Sequence, residues 1–367
     1  MGFYDSLEKF EGFDLESFFK KVSDDDILRA INNTSIDELD LLSLLSPQAG
    51  RHLEAMAQKS QELTLRNFGR VIYLYAPLYL GNFCDNECLY CGFKRDNPIE
   101  RRKLSLPEVE KEAEAIAATG IRHILILTGE SRQQTPVSYL KDCVLALKNY
   151  FSSISIEVYP LEAGEYKELI DVGVDGLTLY QETYDRSLYR QLHPRGPKSD
   201  FLYRLDAPDR AAGMKMRSLS IGALLGLADF RREAFFLGLH ASYMEHRYPE
   251  VELSVSLPRF QRAAGDFSPV FPVGEAEFVQ IMTALRLFLP RAGINISTRE
   301  GHALRANLIG LGVTRMSAGS RTEVGGYALD GKTEGQFEVA DKCGVSEVKE
   351  MIVKRGYQPV LKDWQAI

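Results

Sequence analysis

The chain has 367 residues, of which 45% are apolar and 26% charged, with a net charge of −7 and a sequence pI near 5.6. That balance is ordinary for a globular protein and leaves no basic footprint for nucleic acid. No apolar stretch reaches membrane-spanning length, no secretory leader is visible, and five cysteines, three of them clustered, suit a reducing cytoplasm better than a disulfide scaffold.

In chain order, residues 1–70 read as an acidic helical extension. Ile36, Leu39, Leu41, Leu42, Leu44 and Leu45 include pairs three and four apart, which predicts a helix with one apolar face, ended by Pro47. From residue 71 the texture changes. A short β-prone run at 71–76 is followed by others at 121–127, 154–159, 176–180, 217–225, 252–257, 293–298 and 313–317. Helical stretches such as 106–118, 231–246 and 274–289 lie between them. Such alternation predicts parallel strands joined by crossovers, and eight of them make an α/β fold of the (β/α)8 barrel type, complete or nearly so. The expected division is an N-terminal helical extension over 1–70, the barrel over 71–330, and a helical tail over 331–367 packed on it.

Barrel chemistry gathers at the carboxyl ends of the strands. Several polar clusters fall there: Thr128-Gly129-Glu130, Gln181-Glu182-Thr183-Tyr184, Gly226-Leu227-Ala228-Asp229, Arg299-Glu300, and the segment from Ser317 to Ser320. Each alone could be a helix cap or a solvated loop; together they mark one rim.

The loop after the first strand carries Cys84, Cys88 and Cys91 in a Cys-x3-Cys-x2-Cys spacing, with Tyr90 just before the last. Three thiolates this close can hold three corners of an iron–sulfur cubane, which ordinarily takes four, and leave one iron open. A zinc site would want a second close pair, but Cys143 and Cys343 are isolated, and a redox Cys-x2-Cys would leave Cys84 unexplained.

This spacing resembles that of the radical S-adenosylmethionine (SAM) enzymes. Longer stretches are similar to the tyrosine lyases of thiazole biosynthesis, the 2-iminoacetate synthases or ThiH family. They are Ala76-Pro77-Leu78-Tyr79-Leu80, Tyr180-Gln181-Glu182-Thr183-Tyr184, RLDAPDR at 204–210, Gly222-Ala223-Leu224-Leu225-Gly226-Leu227, Ser297-Thr298-Arg299-Glu300, Gly325-Gly326-Tyr327 and Lys362-Asp363-Trp364. The resemblance implies a 4Fe–4S cluster and SAM as cofactors, with cleavage of the Cα–Cβ bond of L-tyrosine to p-cresol and 2-iminoacetate for the thiazole of thiamine.

It also implies roles. Cys84, Cys88 and Cys91 would ligate the cluster. Glu130 would accept hydrogen bonds from the SAM ammonium, a charge-assisted pairing, and Glu182 would make further polar contacts to SAM. Gly222 and Gly226 would let backbone approach the adenosine. Arg299 would grip the tyrosine carboxylate bidentately, with Tyr79 and Ser317 around the backbone end of the substrate; Ser320, a neighbour, is not distinguished from Ser317 by sequence. His240 and His302 are expected to be structural. The implied partners are a thiazole synthase and an electron donor such as flavodoxin or ferredoxin, with no nucleic acid and no membrane. A related lyase that cleaves tryptophan, a hydrogenase maturase and a plain iron–sulfur electron carrier are the alternatives. The maturase carries three further cysteines in its C-terminal extension, whereas the segment after Gly326 contains Cys343 alone.

Overall fold

The computed structural model describes residues 2–329 and 333–362. Eight parallel strands close into a barrel: β1 (Val71–Gly81), β2 (His123–Thr128), β3 (Ser153–Glu157), β4 (Gly176–Glu182), β5 (Ser218–Ala223), β6 (Glu252–Ser256), β7 (Gly293–Ile296) and β8 (Arg315–Ser317). They follow one another in space, and β1 pairs with both β8 and β2 to close the ring. The eight runs found in the sequence are these strands, with bounds differing by a residue or two everywhere except β1. That strand runs on through Pro77 to Gly81.

Proline is tolerated there because its missing N–H faces no strand. Tyr73 N–H donates to Thr314 O, and Tyr75 O accepts from Ala318 N–H, both at 2.9 Å, so the odd residues of β1 face β8. Pairing with β8 stops at Tyr75, and the Pro77 carbonyl beyond it accepts from the Tyr327 phenol at 2.8 Å.

The expected helical tail proves to be a helix, Val345–Lys354, followed by a ninth strand, β9 (Gln358–Val360), parallel to Val71–Tyr73 of β1. Three residues give no readable alternation, so the sequence offered no sign of it. Asp363 and Trp364 lie outside the described residues, as does the 330/331 boundary.

The helix Glu38–Leu45 ends ahead of Pro47, as expected, and Ser46 then caps a 3-10 turn, Pro47–His52, by accepting from Ala49 N–H at 3.3 Å. A single apolar face is not what the structure shows. Leu41, Leu42, Leu44 and Leu45 are all fully buried, whereas Leu39 is 46% exposed. The helix is wedged against the helices Phe230–Arg247 and Glu275–Phe288, so contact extends around it. A Cβ on Gly238 would come within 2.8 Å of Leu41 Cδ2, and Gln280 donates to the carbonyls of Leu44 and Ser46 at 2.9 and 2.8 Å. The N-terminal helices are thus packed into the barrel's outer layer.

Candidate active site

The cysteine loop is shaped by the protein around it. Asp85 N–H donates to Glu130 O at 3.0 Å and Gly129 N–H to Gly81 O at 2.8 Å, which draws the loop against the turn after β2. A Cβ on Gly129 would lie 2.3 Å from Phe83 O, so only glycine fits under the loop. On the other side, Asn97 donates to the carbonyls of Cys91, Gly92 and Ala264, and Arg101 donates to those of Asn82, Phe93, Lys94 and Arg95. The Tyr90 phenol lies 2.7 Å from His193 Nε2 in the buried layer beneath.

Cys84, Cys88 and Cys91 are free thiols lining one cavity of about 540 Å³. Burial, with Glu130 next, pushes the Cys84 thiol up to about 12, and burial also raises Cys88 and Cys91. Such thiols are inert as nucleophiles and become thiolates under the charge of a bound metal. Among the described residues, His302, Asp341 and Cys343 form a separate group of donor side chains mutually within 4.8 Å, away from the triplet.

Beside the thiols lies a buried group of four charges. Lys198 Nζ is 2.7 Å from Glu182 Oε1 and 3.7 Å from Glu130 Oε1. Arg204 donates to Glu130 Oε1 at 3.0 Å, approaches Glu182 Oε1 at 3.6 Å, and donates to Tyr180 O at 2.7 Å. Asn86 donates to the other Glu130 oxygen at 2.9 Å. Burial acts to raise both carboxyls, but the two cations outweigh it and hold Glu130 and Glu182 below the ordinary range. Glu182 sits in a β-bulge with φ of 72°, which turns its side chain toward Lys198.

A cleft of about 860 Å³ adjoins this cavity and shares Cys91, Leu127, Glu157, Glu182, Lys198 and Gln336 with it. Its walls include Tyr75, Pro77, Leu125, Tyr180, Leu224 and Phe260, an apolar and aromatic lining suited to a ring. Tyr79, Arg299, Ser317 and Ser320 also line it, so the four residues assigned to the substrate are brought together. The Arg299 guanidinium lies 3.4 Å over the Phe337 ring and makes no ion pair among the described residues. Ser317 Oγ accepts from Thr298 N–H at 3.1 Å, whereas the buried Ser320 Oγ has no hydrogen-bond partner among the described residues, which separates the two serines.

Other expectations fare differently. The cleft lining includes Leu224 but neither Gly222 nor Gly226. A Cβ on Gly222 would lie 2.7 Å from Ser256 O and 2.8 Å from the Tyr180 ring, and Gly226 has φ of 115°. Packing at the first and backbone conformation at the second call for glycine. Asp229 caps the helix Phe230–Arg247, and Glu300 pairs with Arg259, so these rim residues are structural. His240 is buried, stacked on Phe3 at 4.2 Å and 2.9 Å from the Tyr184 phenol, while His302 sits beside Cys343 on the surface.

Four participants escaped the sequence reading: Glu157, Lys198, Gln336 and Arg204. Glu157 ends β3 in the same position as the flagged residues of β2 and β4, which was a usable signal. Arg204 fell in a matched stretch without a role. Lys198, in the 3-10 turn Pro197–Ser199, and Gln336 reach the site only through the tertiary fold.

Comparison with known proteins adds to this geometry. The Radical SAM superfamily matches residues 78–235, which carry the three cysteines and the buried charges, and the Biotin and Thiamin Synthesis associated domain matches 256–358, which carry Arg299, Ser317 and Gln336. The 2-iminoacetate synthases of Salmonella typhimurium and Escherichia coli K12 are each 37% identical over 342 residues, 93% of this chain and 91% of theirs. Among solved structures, the FeFe-hydrogenase maturase HydG from Carboxydothermus hydrogenoformans superposes with a TM-score of 0.85 at 30% identity, over 97% of this chain and 82% of that one. Methylornithine synthase (PylB), at 21% identity and a TM-score of 0.74, shares the fold.

Proposed function

The chain belongs to the radical SAM superfamily and, within it, to the family of the 2-iminoacetate synthases; on that premise we propose that it cleaves the Cα–Cβ bond of L-tyrosine to 2-iminoacetate and p-cresol. It is a lyase that uses a 4Fe–4S cluster and SAM. When bound, that pair supplies a 5′-deoxyadenosyl radical able to remove a hydrogen from the substrate, with SAM converted to 5′-deoxyadenosine and methionine.

The chain's own part is binding, orientation and exclusion of water. Cys84, Cys88 and Cys91 would hold the cluster; among the described residues lining that cavity there is no further cysteine or histidine, in keeping with an iron left open for SAM. Glu130, Glu182, Lys198 and Arg204 form a neutral, preorganised wall against which the amino and carboxylate groups of SAM would be oriented. Glu130 keeps lone pairs for an ammonium even while it accepts from Arg204 and Asn86. Arg299 would take the substrate carboxylate, with Tyr79, Ser317 and Ser320 near its backbone. The ring would lie among Pro77, Leu125, Tyr180 and Phe260.

The observation that carries this reading is the continuity of the cavity of the three thiols with a cleft holding an arginine that makes no ion pair among the described residues. The test is anaerobic reconstitution followed by incubation with SAM and either L-tyrosine or L-tryptophan. Release of p-cresol from tyrosine is expected; product from tryptophan alone refutes the proposal.

The reaction needs a reductant, for which flavodoxin or ferredoxin is proposed, and a thiazole synthase is proposed to receive 2-iminoacetate before water hydrolyses it. No helix among the described residues is long and apolar enough to cross a membrane. Five free cysteines support a cytoplasmic setting.

A further inference from the structure

The charged side chains lining the cleft and the thiol cavity are Glu130, Glu157, Glu182, Lys198, Arg204 and Arg299. Four of them neutralise one another at 2.7–3.7 Å. Two remain, and they are of opposite sign. The Arg299 guanidinium rests on Phe337 with no carboxylate within 4.0 Å, and the Glu157 carboxylate has neither a hydrogen bond nor an ion pair among the described residues. They line the same cleft yet do not pair with each other.

An uncompensated charge withdrawn from water is costly, and a ligand of opposite charge removes the cost. Here the ligand must carry a positive and a negative group on one small frame while remaining neutral overall. An α-amino acid zwitterion is that ligand. We infer that Glu157 receives the α-ammonium of the substrate while Arg299 receives its carboxylate, which makes Glu157 the residue that selects for a free α-amino group.

Glu157 is well placed for this. It ends β3, the strand between those that carry the turn of Glu130 and the bulge of Glu182, and it lines both cavities, so a nitrogen held there sits at their junction. Its field reaches the phenols of Tyr75, Tyr79 and Tyr180, the aromatic residues of the cleft. Burial, and then the neighbouring Glu182, raise its carboxyl to about 7, while Arg299, Lys198 and Arg204 act against the rise. A carboxyl so raised gains its largest stabilisation from an incoming cation.

The inference deepens the assignment of L-tyrosine as substrate and rests on it. The test uses the reconstituted enzyme and its Glu157→Gln variant, with binding of three ligands measured separately: L-tyrosine, its analogue without the amine (3-(4-hydroxyphenyl)propanoate), and SAM. The variant is expected to bind L-tyrosine about tenfold or more weakly, the scale of a lost hydrogen bond between charged groups, and to bind the analogue and SAM as the parent does. Unchanged tyrosine binding overturns the inference. So does equal weakening of tyrosine and analogue, which marks a structural role, or weakening of SAM alone, which assigns Glu157 to the cofactor. If Glu157→Gln fails to fold, Glu157→Asp, which keeps the charge but shortens the reach, serves in its place, with the same outcomes read.

The two readings fail separately. A parent enzyme that binds L-tryptophan and not L-tyrosine, with the same loss in Glu157→Gln, refutes the substrate and keeps the ammonium site. A parent that binds L-tyrosine with no loss in the variant does the reverse.

Discussion

The Tyr79 phenol donates to Gln336 Oε1 at 2.7 Å, and the amide nitrogen of the same Gln336 reaches Cys91 Sγ at 3.9 Å. One side chain thus couples a residue of the substrate cleft to a proposed cluster ligand. The Gln336 backbone reinforces the link, since Gly92 N–H donates to its carbonyl at 3.3 Å and a Cβ on Gly92 would come within 2.5 Å of that oxygen.

Donors to the sulfurs of a cluster raise its reduction potential, because they stabilise the more negative reduced state. Gln336→Leu is therefore expected to lower the potential by on the order of 40 mV, the equivalent of about 1 kcal/mol for one electron. A redox titration followed by electron paramagnetic resonance checks this. An unchanged potential would mean that the amide does not address the cluster.

Gly129→Ala is expected to displace the cysteine loop, since its new Cβ would overlap Phe83 O. Overpacking of this kind costs about 1–3 kcal/mol, and the clash here is with backbone that cannot rotate away. Iron per chain after anaerobic reconstitution should fall below the value of about four expected of a full cubane. Gly164→Ala, which meets nothing within 4 Å, is the control and should retain iron.

The buried charges make a sharp prediction for stability. Arg204→Met leaves Glu130 and Glu182 with Lys198 as their remaining close cation, and breaking a buried pair costs about 3–5 kcal/mol. Denaturant unfolding of parent and variant measures it. A loss near that of a surface pair, about 0–1 kcal/mol, would show the wall to be solvated.

Acid sensitivity follows from buried histidines and carboxyls shifted in opposite directions. His193 and His240 are lowered to about 3, chiefly by burial, so the unfolded chain takes up protons there as pH falls through about 6.5 while the folded one does not. Glu157 and Glu233 are raised to about 7, again chiefly by burial, so the folded chain takes up protons first. Between about pH 6.5 and 4.5 the two effects offset each other. Below about 4.5 the unfolded carboxyls protonate as well, and the histidine deficit is joined by Glu130 and Glu182, whose lowered folded values let the unfolded chain take up protons there first. The thermal midpoint should be nearly level from pH 6.5 to 4.5 and fall steeply below that, and a steady decline from neutrality would contradict this balance.

The barrel was legible in the sequence because apolar, β-prone runs recur at intervals that leave room for a helix between them. Site residues were legible to the extent that strand ends were. The third β-prone run continues to Tyr159, two residues beyond the strand's end at Glu157, so a rim carboxylate reads as a strand-interior residue. Lys198 and Gln336 had no such handle. The first is carried over the rim by a 3-10 turn in which Asn86 Oδ1 accepts the Lys198 N–H at 2.8 Å, and the second arrives from 245 positions beyond Cys91. Nothing local encodes contacts of that separation. Leu39 illustrates the opposite error: it fits the helical period yet faces solvent, because the helix lies in a groove whose orientation is set by its partners.

The segment after β8 lies along β1 at both heights of the barrel: β9 borders Val71–Tyr73 at the base, and Gln336 clamps the loop that follows Gly81 at the top. A nascent chain that has emerged only through β8 therefore has its eight staves but lacks both the lower border of β1 and the latch over Gly92. The cysteine loop of such an intermediate would lack the Gly92–Gln336 contact that fixes it in the finished barrel.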